Sequence, residues 1–160
     1  MSIDKKEDNF FRTVFKLVEK GEDYLTVSDS FEDFYNIIED ALNHFEITEE
    51  YEKCAILKKY MDDCIKEIPT NIDEALDFLA TLDIRSLFER FKNYDEFTFS
   101  IELHPKIGKR LIDIWLLKYD ISPMRKYFLS TGEINPENMA HKIIKAFIVK
   151  ARTFIENEIN

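Results

Sequence analysis

The chain has 160 residues, 45 % of them apolar, and a net charge of −10. That length suits one domain able to bury its own core, and 14 Phe with 7 Tyr exclude the composition of an intrinsically disordered acidic chain. Three glycines and four prolines are too few for the turns of an all-β sandwich or barrel. The sequence therefore predicts a mainly α, single-domain helical bundle of about seven helices over 1–160, with at most one short strand pair.

The first helix is predicted from Asp8 to Lys20, with Phe10, Phe11, Val14, Phe15 and Val18 on one face and Gly21 as its stop. Tyr24–Val27 reads as extended. Asp29 or Ser30 caps a second helix whose stripe is Phe31, Phe34, Tyr35, Ile38, Leu42 and Phe45. Thr48, Glu49 and Glu50 mark a third start. Its inner face is Tyr51, Cys54, Ala55, Leu57, Met61, Ile65 and Ile68, and Pro69 ends it. Asn71 caps a shorter helix bearing Leu76, Phe78, Leu79 and Leu82, and another follows from Ile84 to Phe91.

Phe97, Phe99, Ile101 and Leu103 alternate with polar residues, which is a strand signal. Its partner would be Tyr24–Val27 or the same strand of a second subunit. His104-Pro105, Ser122-Pro123 and Asn135-Pro136 each place proline where a first helical residue belongs. They predict helices over Pro105–Tyr119, Pro123–Leu129 and Pro136–Glu158. The last presents Ile143, Ile144, Phe147, Ala151, Phe154 and Ile155 inward.

No apolar run approaches the ~20 residues of a spanning helix, and Ser2 to Asp8 lack the apolar stretch of a secretory leader. The protein is expected in the cytoplasm, with no membrane as partner. Cys54 and Cys64 lie ten residues apart on one helix, ~15 Å along its axis. That exceeds the ~7 Å a disulfide tolerates, and both read as small buried hydrophobes.

Charge is segregated. Residues 1–80 carry a net −12 and residues 81–160 a net +2, while 104–152 alone carry +6. Lys142, Lys145 and Arg152 fall near one face of the last helix, a basic stripe suited to an acidic protein surface or to phosphates. Nucleic acid is the lesser reading, because no zinc finger or RNA-binding signature accompanies the stripe. The single Trp115 reads as a core anchor, and as a binding hot spot if exposed.

Glu50 to Met61 resembles the second helix of the UVR-type helical hairpin. Tyr51 matches its aromatic, Glu52 and Lys53 match directly, Cys54 and Ala55 take the small pair, and Leu57 and Met61 take the apolar positions. Lys58-Lys59 stands where that pattern has Arg-Asp, and the preceding arm, Phe34 to Phe45, fits loosely. The resemblance spans roughly residues 34–65 and implies a protein-contact module.

Catalytic signatures are missing from the sequence. The glycines, Gly21, Gly108 and Gly132, are too scattered for a phosphate loop, and His44, His104 and His141 have no zinc spacing. No catalytic residue, cofactor or metal is assigned. The expected function is a non-enzymatic protein-interaction or regulatory module binding another protein or itself, as in a homodimer. Lys142, Lys145, Arg152 and Trp115 are its candidate contacts. The alternatives are an acidic nucleic-acid mimic that blocks a basic groove, nucleic-acid contact through the basic C-terminal helix, and an enzyme with a dispersed site.

Overall fold

A computed structural model describes residues 4–81 and 95–159. The protein is mainly α, with no strand among the described residues. Its contacts gather into two compact units, Met1–Glu67 and Ile68–Asn160, where the sequence was read as one domain over 1–160. Each unit is described by itself. The helix expected over 84–91 and the side chains of Phe99, Phe154 and Ile155 lie outside the described residues.

Unit 1 holds α1 (Lys5–Glu19), α2 (Phe31–Ile47) and α3 (Tyr51–Lys66). Asp4 caps α1 by accepting from the Lys6 N–H, and Ser30 caps α2 by accepting from the Asp33 N–H. The predicted stripes are largely the buried ones: Phe11, Val14, Phe15 and Val18 of α1 and Phe34, Ile38, Leu42 and Phe45 of α2 are buried, and α1 packs on α2. Phe10 and Tyr51, expected inside, are exposed. Tyr24–Thr26 is a short 3-10 turn rather than a strand, capped by Asp23. Tyr24 packs its ring on Phe31 and Phe34. α2 and α3 pack as a helical hairpin. Cys54 and Cys64 are free along an unbroken α3, and burial pushes both thiols up.

Unit 2 holds α4 (Ile72–Ala80), α5 (Glu96–Leu103), a π-helical turn (His104–Gly108), α6 (Lys109–Ile114), α7 (Pro123–Ser130) and α8 (Pro136–Ile159). Asn71, Ser122 and Asn135 cap their helices as expected. α4, α5 and α6 pack against α8, whose Met139, Ala140, Ile143, Ile144, Phe147 and Ile148 are buried.

Three expectations for unit 2 are corrected. Residues 97–103 are helical. Asp95 accepts from the Thr98 N–H at 2.7 Å, a cap at the start of α5, and Leu103 faces the core while Phe97 and Ile101 face outward. The alternation arises because this helix has apolar residues on more than one side. Second, Pro105 starts no new helix. It lies inside a helical run, where proline lacks the N–H for the i→i−4 bond and crowds the preceding turn; the backbone widens there into the π turn. Third, that run stops at Ile114, not Tyr119.

The stop at Ile114 belongs to a recurrent device. Backbone N–H groups of Glu22, Glu50, Leu117 and Glu133 return to the carbonyls of Leu17, Phe45, Ile112 and Phe128. Each closure needs a left-handed residue just before it. Gly21 and Gly132 supply two. Glu49 (φ 59) and Leu116 (φ 49) supply the others without being glycine. Leu116 is 1 % exposed, and burying it is worth about 1.5–3 kcal/mol, enough to offset the ~1–2 kcal/mol that a left-handed side-chain residue costs. Exposed Glu49 has no such compensation. Glu49→Gly is expected to raise stability by about 0.5–1 kcal/mol, read as a higher urea midpoint with an unchanged slope; a lower midpoint would contradict the strain assigned to this turn.

Candidate functional site

Two polar clusters concentrate the titratable groups, one in each unit. In unit 1, Arg12 lies between two acids. Its Nε donates to both oxygens of Asp8 at 2.9 Å, and its Nη atoms donate to Glu50 at 2.8 and 3.1 Å. Lys53 Nζ and Thr48 Oγ1 also donate to Glu50. His44, buried with its ring tilted against Phe11, meets Asp8 through Nε2 at 3.0 Å. Its carboxylate partner is thus on α1, not the Asp40 or Glu46 close to it in sequence. The cluster ties the start of α1 to the α2–α3 turn. The Arg12 guanidinium, aided by Lys53, holds the Glu50 carboxyl down to about 2. Arg12, and after it His44, holds Asp8 below the usual carboxylate range.

Unit 2 holds the second cluster. α5 and the π turn run beside α8 and leave a cleft of about 400 Å³ between them, lined by Ile101, His104, Pro105, Glu137, Asn138 and His141. His104 Nε2 lies 3.0 Å from Glu137 Oε2, and the His104 and His141 rings are 6.2 Å apart. A carboxylate accepts, so Nε2 carries the proton of a neutral His104. Nδ1 is then turned inward, buried and without a hydrogen-bond partner among the described residues. It lies over Gly108, where a Cβ would stand 2.7 Å from it. A general base needs a nitrogen within reach of the substrate proton. Here one ring nitrogen is engaged by Glu137 and the other is covered by Gly108, so this His–Glu pair is arranged as a strut. Among the described residues no three His, Cys, Asp or Glu side chains converge as a metal site.

On the α5 side the cleft is lined by Ile101 and Pro105. Phe97, Ile101 and Pro105 recur every four residues, and Phe97 and Ile101 are 73 % and 52 % exposed. Across the cleft, Asn138 and His141 are followed at helical spacing by Lys145, Val149 and Arg152. Two of the sequence-predicted contacts, Lys145 and Arg152, thus continue the face that lines the cleft. Lys142 is exposed at the edge of that face and pairs with Glu133 at 2.9 Å. Trp115 is elsewhere: it is 2 % exposed and packs edge-on against Phe78 at 5.7 Å, so it is the core anchor and not a surface hot spot. Sequence reasoning missed Phe97 and Ile101 because their alternation was taken for a strand. It missed the His104–Glu137 pair because 33 residues separate them.

Among the described residues no helix is long and apolar enough to cross a membrane. The fold is mainly helical, and its cleft carries the His104–Glu137 pair beside exposed apolar side chains. A family described as a domain of unknown function (DUF6794) matches residues 68–150, just over half of the chain, and the chain belongs to that family. The match begins where unit 2 begins and contains the cleft. No curated protein and no solved structure matches the chain.

In unit 1 the depressed Glu50 carboxyl has a signed consequence. Its contribution is present above the ordinary carboxyl value of 4.5 and is lost as pH falls towards about 2. Glu50→Gln is expected to cost about 1 kcal/mol at pH 7 for these partly exposed pairs and almost nothing near pH 2. Urea midpoints of both proteins at the two pH values check this; a penalty unchanged by acid would contradict it.

Proposed function

We propose that this protein is a non-enzymatic, cytoplasmic protein-interaction module whose docking face is the cleft beside α5 and α8. One observation carries the reading: Ile101, which lines the open cleft, and Phe97, one turn before it on α5, both stand exposed. Single exposed apolar side chains such as Leu25 or Ile134 are ordinary. Two in register beside a concave surface are the arrangement that helix-in-groove recognition uses. Covering a side chain of this size is worth about 1.5–3 kcal/mol, so this pair alone supplies a useful fraction of a micromolar affinity. The enzyme reading finds less support, because both ring nitrogens of His104 are taken up, Nε2 by Glu137 and Nδ1 by burial over Gly108.

A photo-crosslinking amino acid placed at Ile101 is expected to yield a discrete protein adduct in the native cell. The same group at Ser130, exposed on α7, should not, and Phe97→Asp should suppress the adduct without lowering the melting temperature. Equal labelling from both positions, or none from Ile101, would contradict the proposal.

A further inference from the structure

Unit 1 carries a second surface, independent of the cleft in unit 2. We infer that two copies of this chain pair through unit 1, with the outer face of α1 in one copy lying against the outer face of α2 in the other.

α1 is basic on the side turned away from its own core. Lys6, Phe10, Thr13, Leu17 and Lys20 follow one another at alternating intervals of four and three residues, the spacing of a helix–helix seam. Phe10 is 47 % exposed, Lys6, Thr13 and Lys20 are exposed and Leu17 is half-buried. Lys16 is exposed beside this stripe. Lys6, Lys16 and Lys20 form no ion pair among the described residues. The other cation of α1, Arg12, is spent within the unit on Asp8 and Glu50.

α2 offers the opposite charge at the same spacing. Its 17 residues hold Glu32, Asp33, Glu39, Asp40 and Glu46 and no Lys or Arg. Asp33, Asn36, Asp40, Asn43 and Ile47 recur at alternating intervals of three and four residues. All five are exposed, Ile47 to 74 %. The buried side of α2 is the other one, with Phe34, Ile38 and Phe45. Glu46 is bonded to Lys58 of α3, whereas the carboxylates of Asp33 and Asp40 have no ion-pair partner among the described residues. Each stripe runs for about 21 Å along its helix.

Charge complementarity decides the occupant. A cationic seam and an anionic seam of equal length stand on one molecule, so a second copy supplies what each lacks. The two cannot meet within one unit, because each lies opposite the buried side on which α1 and α2 pack together. Run antiparallel, Lys16 and Lys20 approach Asp40 and Asp33, and Phe10 approaches Ile47. A two-fold axis makes this contact twice and closes the pair. Opposed charges in contact fix the register, while the repulsion between two chains of net −10 is screened beyond ~8 Å at physiological salt.

Sedimentation equilibrium of the full chain should show a reversible dimer with a Kd of roughly 10–100 µM. Lys16→Glu with Lys20→Glu should weaken it at least about tenfold, and so should Asp33→Lys with Asp40→Lys, with helical circular dichroism retained in both. Mixed in equal amounts, the two variants should associate again, because the acidic α1 of one meets the basic α2 of the other. A photo-crosslinking residue at Thr13 removes no charge and reads the pairing without either reversal. In a mixture of isotopically heavy and light chains it should join one chain to residues 33–47 of the other. A chain that stays monomeric at about 1 mM, folded variants whose mixture stays monomeric, or Thr13 adducts confined to a single chain would overturn the pairing. A dimer indifferent to both reversals and abolished by Phe97→Asp would overturn it in favour of a contact at the cleft.

Discussion

Pro105 has no backbone N–H to give, yet it stands inside a helical run that begins at Glu96 and ends at Ile114. The run survives by widening into one π turn, and much of unit 2's surface follows from that turn. His104 folds back over Gly108 in space that only the missing Cβ leaves open. From there its Nε2 reaches Glu137 across 33 residues of sequence. The same bond fixes the end of α8 beside α5, so Ile101 and Pro105 line a cleft rather than a packed seam.

Unit 1 solves a different problem with charge. Its net −9 over 67 residues would drive carboxylates apart, and Arg12 is placed so that two of them gain from being close. Asp8, Glu50, His44 and Lys53 surround it, and the helical hairpin is closed at that point. Unit 2 uses the same device in smaller pieces, with Lys150 bonded to Asp77 across α4 and α8 and His104 to Glu137. In both units opposite charges brace helices.

Helices announced by caps were legible in the sequence. Ser30, Asn71, Ser122 and Asn135 each accept the backbone N–H that their position predicted, and the buried stripes of α1, α2 and α8 follow the apolar spacing. Elements decided by tertiary packing were not. Nothing local marks Leu116 as a left-handed stop, since only its burial supports that conformation. Period-two spacing at 97–103 gave a strand because a helix with apolar residues on opposite sides produces the same pattern. Asp95, a capping residue just before that segment, was the signal that could have corrected it. Of the site, the cations Lys145 and Arg152 were visible as a stripe. The apolar half and the His104–Glu137 strut depended on contacts that sequence spacing does not encode.

If the π turn sets the cleft, its tightest contact should be its most sensitive point. Gly108→Ala puts a methyl group 2.7 Å from His104 Nδ1, so the imidazole must leave its seat and its bond to Glu137. Imidazole nitrogen resonances of the folded wild-type and Gly108→Ala proteins measure this directly. The account predicts that the His104 signals shift to those of a solvent-exposed ring while His44 is unmoved. Unchanged His104 signals in a folded Gly108→Ala protein would contradict it.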